Sequence, residues 1–220
     1  MRVLIARMVH GGYEHHGVGS FLSFARLAAH KDPRISYFNE VPVDDYPTTI
    51  SRNKVVKIAR DHVKADVLFM LDHDNVPDRR FFETAIDWLI EHPAGVIACP
   101  YCSSRSSAPG APDREVVVVV ADKADSNGAR KVAREEAKTL AGIQPALMVP
   151  TGVIAIGMPV FEMVKAPWFE YRYVNADHTI LEMTEDYDFS AKCVAAGVEV
   201  AVAWDHFAGH DKRETIGRPE

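Results

Sequence analysis

Residues 66–71 read Asp-Val-Leu-Phe-Met-Leu, apolar at nearly every position. A strand with one wet face would alternate polar and apolar residues. A run without alternation needs cover on both faces, which suits a central strand of a largely parallel sheet with helices above and below it. That requirement narrows the fold class to α/β. The neighbouring sequence supplies the other layers. Residues 2–6 (Arg-Val-Leu-Ile-Ala) read as another buried strand, broken by His10-Gly11-Gly12. Residues 18–29 place Val18, Phe21, Leu22, Ala25 and Ala28 at helical spacing. A strand is expected over 35–38, loop over 42–47, helix over 50–62, amphipathic helix over 79–91 and strand over 95–98. Strand and helix thus alternate through the first hundred residues, predicting a mostly parallel sheet with helices on both faces.

Beyond residue 100 the alternation loosens. Residues 103–114, rich in Ser, Pro and Gly, read as a mobile loop. A β run is expected over 115–121, a charged helix over 129–140 ended by Gly142, and strands over 146–149 and 153–156 separated by Pro150. A short helix follows over 159–165, with Pro159 in its first turn. The pattern closes with a helix over 185–196 ended by Gly197, a last strand over 198–203 and a polar tail read as loop. The whole chain, 1–220, is expected to form one domain.

The formal net charge of −6 argues against broad, sequence-independent nucleic-acid binding, which needs a basic surface. Cys99 and Cys102 have C-x-x-C spacing, but with Cys193 the third cysteine there is no second pair to complete a zinc site, so they read as unrelated thiols at a strand end. Such thiols fit a reducing cytoplasm. No stretch approaches the roughly 20 apolar residues of a membrane span, so none is expected.

The apolar run ends in Asp72-His73-Asp74-Asn75. In open α/β sheets ligands bind at the carboxyl ends of the strands, and alternation puts Asp72 and Asp74 on one side of an extended chain. Two hard oxygen donors so placed suit Mg²⁺ or Mn²⁺ bridging a diphosphate. Read alone, the same residues also fit a turn that caps the next helix.

Thr184-Glu185-Asp186-Tyr187-Asp188 opens the last long helix. Thr184 suits the N-cap, and early acids favour the positive end of the dipole. The functional reading makes Asp186 a general base for an acceptor hydroxyl, with Glu185 orienting the substrate. His206 and His210 follow the last strand, and either imidazole could complete the metal shell of the aspartate pair.

In order, Val3-Leu4-Ile5-Ala6-Arg7, Ser51-Arg52-Asn53, the run into Asp72-His73-Asp74, Thr151-Gly152-Val153-Ile154-Ala155-Ile156, Glu185-Asp186-Tyr187-Asp188-Phe189 and Gly209-His210 together resemble the GT-A glycosyltransferases, close to family 2 and to the short forms of phage and bacterial genomes. The resemblance covers most of the chain except 103–142. It implies a GT-A, Rossmann-like mixed sheet. It implies that Asp72 and Asp74 bind a metal-diphosphate, with His73 between them at the cofactor. It implies that Arg7, Arg52 and Asn53 border the nucleotide, that Asp186 is the base as in inverting members, and that His210, with His206 as rival, ligands the metal.

The function expected is therefore metal-dependent transfer of a sugar from a nucleoside-diphosphate sugar, of UDP or GDP type, to an acceptor hydroxyl. The acceptor stays open among glycan, small molecule, protein and modified DNA, and retention versus inversion stays open too. Two other readings share the acidic pair: a nucleotidyltransferase acting on sugar phosphates, and a module that binds a nucleotide-sugar without turnover.

Overall fold

The computed structural model describes residues 1–9, 16–44, 47–103, 115–121 and 128–210, with the backbone alone at 103, 115 and 210. The first half contains β1 (Arg2–Met8), α1 (His16–Lys31), β2 (Tyr37–Val43), α2 (Thr48–Lys57) and, continuing α2, a π-helical turn (Ile58–Val63). Next come β3 (Val67–Asp72), β4 (Asn75–Val76), α3 (Phe81–Glu91) and β5 (Gly95–Ala98). The second half has the short pieces β6 (Cys102–Ser103), β7 (Glu115–Val116), β8 (Val119–Ala121), β9 (Ala129–Lys131), α4 (Arg134–Ala137) and β10 (Ile143–Pro145). It ends with β11 (Val153–Gly157), α5 (Val160–Met163), β12 (Arg172–Tyr173), β13 (Leu181–Met183), α6 (Glu185–Ala195), β14 (Glu199–Ala203) and β15 (Gly209–His210).

The main sheet has seven strands in the order β10-β14-β5-β11-β3-β1-β2. β1 pairs in parallel with β2 and β3, and β5 with β14. β11 lies between β3 and β5, antiparallel to both, and β10 is an antiparallel edge. The sheet is thus mostly parallel but mixed, as expected.

Alternation along β3 explains the two-sided core. Leu68 and Met70 join Leu4, Val55, Val56, Phe161, Trp168 and Phe189 on one face, which α2, α5 and α6 cover. Val67, Phe69 and Leu71 join Val18, Phe21, Phe81 and Phe82 on the other, which α1 and α3 cover. The Phe69 ring stacks on Phe82 at 5.2 Å and meets Phe81 edge-on at 6.2 Å. Full burial of each such side chain contributes roughly 1.5–3 kcal/mol.

The structure corrects several expectations. β2 runs through Val43, and Pro42 sits in it opposite Arg7. β2 is an edge strand, where proline's missing N–H removes no ladder bond. Residues 129–140 are not one helix. Ala129–Lys131 pairs with β8 and only Arg134–Ala137 is helical, because Val132 and Ala137 are buried where a surface helix would need a longer apolar stripe. The 115–121 run splits in two because β7 pairs with β6 and β8 with β9. Residues 146–149 form no strand of the main sheet: the Ala146 N–H donates to the Val200 carbonyl of β14, and the Leu147 and Met148 N–H groups donate to the Val119 carbonyl. The tail is not all loop: β15 pairs with β4, just after the acidic pair. Ser103, the first residue of the loop expected over 103–114, ends β6, and the rest of that loop and the break at His10-Gly11-Gly12 lie outside the described residues. Among the described residues no helix is long and apolar enough to cross a membrane.

Candidate carboxylate site at the end of the central strand

Asp72 is the last residue of β3, and the start of β11 lies beside it: the Asp72 N–H donates to the Gly152 carbonyl at 2.8 Å. The next N–H, of His73, donates to the Met8 carbonyl at the end of β1 at 3.1 Å. Asp72 is therefore fixed from both neighbouring strands. Helix α2 brings Arg52 to the same point. Its side chain is 2% exposed, which a guanidinium tolerates only when paired. Nη2 donates to both Asp72 oxygens at 3.0 Å, Nη1 to the Thr151 carbonyl at 3.4 Å, and Nε lies 3.7 Å from Glu185 Oε1. Arg52 thus ties the ends of β3 and α6 together.

The electrostatics are unbalanced. Burial works to lower the Arg52 pKa, but the charges of Asp72 and Glu185, the Asp72 hydrogen bond and the charge of Asp186 outweigh it, and the net shift is upward. On the acid side, burial lifts Asp72, Arg52 draws it down and the charge of Asp74 pushes it up again, leaving it raised. Glu185 is raised the same way, by burial first, against Arg52 and with Asp186. The two sides look contradictory: the arginine is held charged while its partners resist ionisation. Charge count reconciles them, since the one Arg52 guanidinium faces Asp72, Glu185 and Asp186, and Asp74 adds a fourth acid beside Asp72. The surplus is negative.

That surplus is what a divalent cation would relieve, and the donor set suits one. Asp72 and Asp74 offer hard oxygens, and the neighbouring Asn75 is 1% exposed with an Oδ1 that finds no hydrogen-bond donor. The Asn75 Nδ2 donates to Asp74 Oδ1 at 3.1 Å. Among the described residues no three His, Cys, Asp or Glu side chains form a ready cage. Mg²⁺-type sites bind through one or two carboxylates plus substrate phosphates and water, so a closed protein cage is not required.

At the start of α6, Thr184 occupies the N-cap position in extended conformation, but its hydroxyl donates to Asp186 Oδ1 rather than accepting from the helix backbone. The Tyr187 N–H donates to the same Oδ1 at 2.9 Å. Oδ2 makes no hydrogen bond among the described residues. Asp188, the third acid of the turn, is fully buried and faces away, 2.8 Å from Arg172 Nη2 and 2.6 Å from Lys192 Nζ.

Other expected site residues fall elsewhere. Asn53 points off the site: its Nδ2 donates to the Thr49 and Phe169 carbonyls at 2.7 Å, and its Oδ1 accepts from Trp168 N–H at 3.0 Å and Phe169 N–H at 3.3 Å. It clamps a loop. His206 packs against α3, with Nε2 2.8 Å from Thr84 Oγ1 and Nδ1 3.0 Å from Asp78 Oδ1, so both ring nitrogens are engaged. The backbone of His210 pairs with Asn75, and its side chain lies outside the described residues. Arg7 is half-buried near the end of β1, in register with Leu71, and the half-buried His73 lies close enough to lower the Asp72 pKa.

Tyr101 was missed from the sequence. Burial, then the charges of Asp186 and Asp72, push its phenol well above the ordinary range, which places it within the field of the acid cluster. It follows β5, whose end lies beside β11 through Cys99 N–H to Val153 carbonyl at 3.0 Å. The position after a strand's carboxyl end was the available signal. The neighbouring Cys99 is a buried free thiol.

No protein-family model and no curated protein matches the chain. Solved structures do. A197 from STIV superposes with a TM-score of 0.61 at 14% identity, covering 96% of this chain and 86% of that one. GalNAc-T7, solved with UDP, GalNAc and Mn²⁺, superposes with a TM-score of 0.58 at 11% identity, covering 100% of this chain and 45% of that one. The fold is of the GT-A type. Identities this low show the fold alone.

Proposed function

We propose that the protein is a metal-dependent glycosyltransferase that moves a sugar from a nucleoside-diphosphate sugar to an acceptor hydroxyl. The observation that carries this reading is the surplus of carboxylates around Arg52 at the carboxyl end of β3, where open α/β sheets bind ligands. The fold neighbour solved with UDP and Mn²⁺ supports the choice of ligand class.

Asp72 and Asp74 would hold a Mn²⁺ or Mg²⁺ ion, which when bound neutralises charge on the departing nucleoside diphosphate. Arg52 favours the ionised form of Asp72 against burial, holds its carboxylate in place, and joins it to Glu185 across the strand–helix gap. Glu185 orients a substrate hydroxyl. Asp186 has one oxygen fixed by Thr184 and Tyr187 and the other without a hydrogen bond among the described residues, the arrangement a general base needs. Its Oδ2 accepts the proton of the acceptor hydroxyl as that oxygen attacks the anomeric carbon, and the glycosidic bond to the diphosphate breaks with its electron pair leaving on the phosphate oxygen. Arg7, near the end of β1, and His73, just after β3, would border the nucleotide.

The test is turnover of UDP- and GDP-sugars with Mn²⁺, comparing the natural chain with Asp74→Ala. Loss of several kcal/mol of transition-state stabilisation, on the order of 10²–10³ in rate, is expected for the variant. Undiminished metal-dependent transfer by Asp74→Ala removes the reading.

A further inference from the structure

Helix α2 has two working faces. Ser51 and Arg52 point inward and are buried, whereas Thr49, Ile50, Asn53, Lys54 and Lys57 recur at helical spacing and line a separate cavity of about 720 Å³. Its other wall is the segment 166–173. Trp168 and Phe169, 3% and 1% exposed, form an apolar floor that three Asn53 hydrogen bonds fix in place. The Trp168 indole N–H donates inward to the Phe161 and Val164 carbonyls, so the ring is locked. Tyr171 and Tyr173 stand half-buried at the edge, and Tyr173 is backed by the His178 ring, stacked at 4.5 Å with 1° between the planes. Ile50 lies open at the rim, 43% exposed.

Lysines outnumber carboxylates among the described residues that line this cavity. Lys54 and Lys57, both exposed, enter from α2. Among the described lining residues the only carboxylate is Glu170, already 3.5 Å from the Lys192 ammonium. Rigid aromatic walls suit the C–H faces of a sugar ring, and a lysine pair suits a carboxylate or phosphate. The volume lies within the range of about 300–1,000 Å³ common to small-ligand sites. The chain connects the cavity to the catalytic elements. Asn53 follows Arg52 directly, and Tyr173 ends β12, whose partner β13 leads into α6 and Asp186.

We propose that this cavity is the acceptor subsite and that it selects a sugar bearing a carboxylate or a phosphate. Its role as acceptor subsite rests on the transfer reading above, whereas binding of an acidic sugar stands independently of it.

The experiment titrates the full chain, isotope-labelled and without any donor, with glucose, glucuronic acid, glucose 6-phosphate and inorganic phosphate. The NMR signals of Ile50, Lys57, Tyr171 and Tyr173 are followed. The two acidic sugars are expected to shift these signals and to bind at least about tenfold more tightly than glucose. The double variant Lys54→Glu, Lys57→Glu, altered only at exposed positions, should lose that preference. Equal affinity for inorganic phosphate and the sugar phosphate would overturn the assignment to a sugar. Absence of shifts with every ligand, or an unchanged preference in the double variant, would overturn the site itself. Because no donor is present, these outcomes are decided separately from the Asp74→Ala test of transfer.

Discussion

Arg52 Nη2 lies 3.0 Å from both carboxylate oxygens of Asp72, and the two side chains are contributed by an early helix and the central strand. Arg52 is almost wholly buried, so its charge has no water to fall back on. Removing it leaves the half-buried Asp72 and Glu185 without their buried counter-ion. Breaking a buried pair from one side costs about 3–5 kcal/mol. Arg52→Met should lower unfolding stability by that amount in urea, with an unchanged denaturant slope. A loss below about 1 kcal/mol would mean the pair is solvated like a surface bridge.

The acids themselves set a pH dependence of definite sign. Asp72 and Glu185 both have folded-state pKa values raised above their ordinary values of 3.8 and 4.5, by burial first and by neighbouring acids next. The folded state then binds more protons than the unfolded one in the interval above those values. Stability must fall as pH rises through it. Melting temperature followed from pH 4 upward should show this decline from the site. Glu185→Gln should flatten it, since the amide carries no proton equilibrium. A decline of the same size in Glu185→Gln places its origin elsewhere.

How much of this was legible beforehand depends on the kind of interaction. The apolar run into Asp72 announced a strand covered on both faces, and its place at the centre of the sheet follows from burial alone. β5 and α6 were similarly readable, because local periodicity and the end signal at Gly197, whose φ is +74°, agree with the tertiary packing. What failed was non-local. Residues 129–131 carry charges that suit a helix, but their pairing partner is a strand ten residues upstream. The reversed insertion of β11 between β3 and β5 is a matter of register that no local pattern encodes. Within the site, the acids stood out as a motif. Arg52 came from resemblance alone, and its burial against Asp72 came only from the fold. Asn53 and His206 looked like ligands because amide and imidazole serve equally well as clamps, and only their partners tell the difference.

Asp186 should separate chemistry from binding. Asp186→Asn keeps an Oδ1 that can accept from Thr184 and Tyr187, so the first turn of α6 should stay in place. The basic oxygen is lost. General-base removal typically costs about 10²–10⁴ in rate. The expected result is a fall of that size in kcat, with nucleotide-sugar affinity by calorimetry within a factor of about two. An equal loss of affinity would mean Asp186 holds the donor rather than the acceptor proton.

Asn53→Ala tests the clamp. Four backbone hydrogen bonds to Thr49, Trp168 and Phe169 disappear together, and the freed N–H groups of Trp168 and Phe169 are partly buried. Each unsatisfied buried group costs about 1–3 kcal/mol. Stability should fall by at least about 2 kcal/mol, with hydrogen exchange accelerated most at the Trp168 amide. If the side chain instead contacts a nucleotide base, the variant would weaken donor binding while leaving exchange at Trp168 unchanged.

Gly152 controls the acidic pair from behind. A Cβ added there would sit 2.6 Å from Asn75 Nδ2, far inside van der Waals contact. Asn75 is buried and its Nδ2 donates to Asp74 Oδ1, so the amide can yield only by moving the group that orients Asp74. Gly152→Ala should therefore act at a distance on metal binding. Overpacking of this kind costs about 1–3 kcal/mol of stability. Loss of a hydrogen bond that orients a metal-binding carboxylate lowers metal affinity about 10–100-fold. A Mn²⁺ titration read by electron paramagnetic resonance should show that drop in Gly152→Ala, and a comparable one in Asn75→Ala, which removes the same bond without crowding. If both variants bind Mn²⁺ as tightly as the natural chain, Asp74 is not a ligand that Asn75 positions.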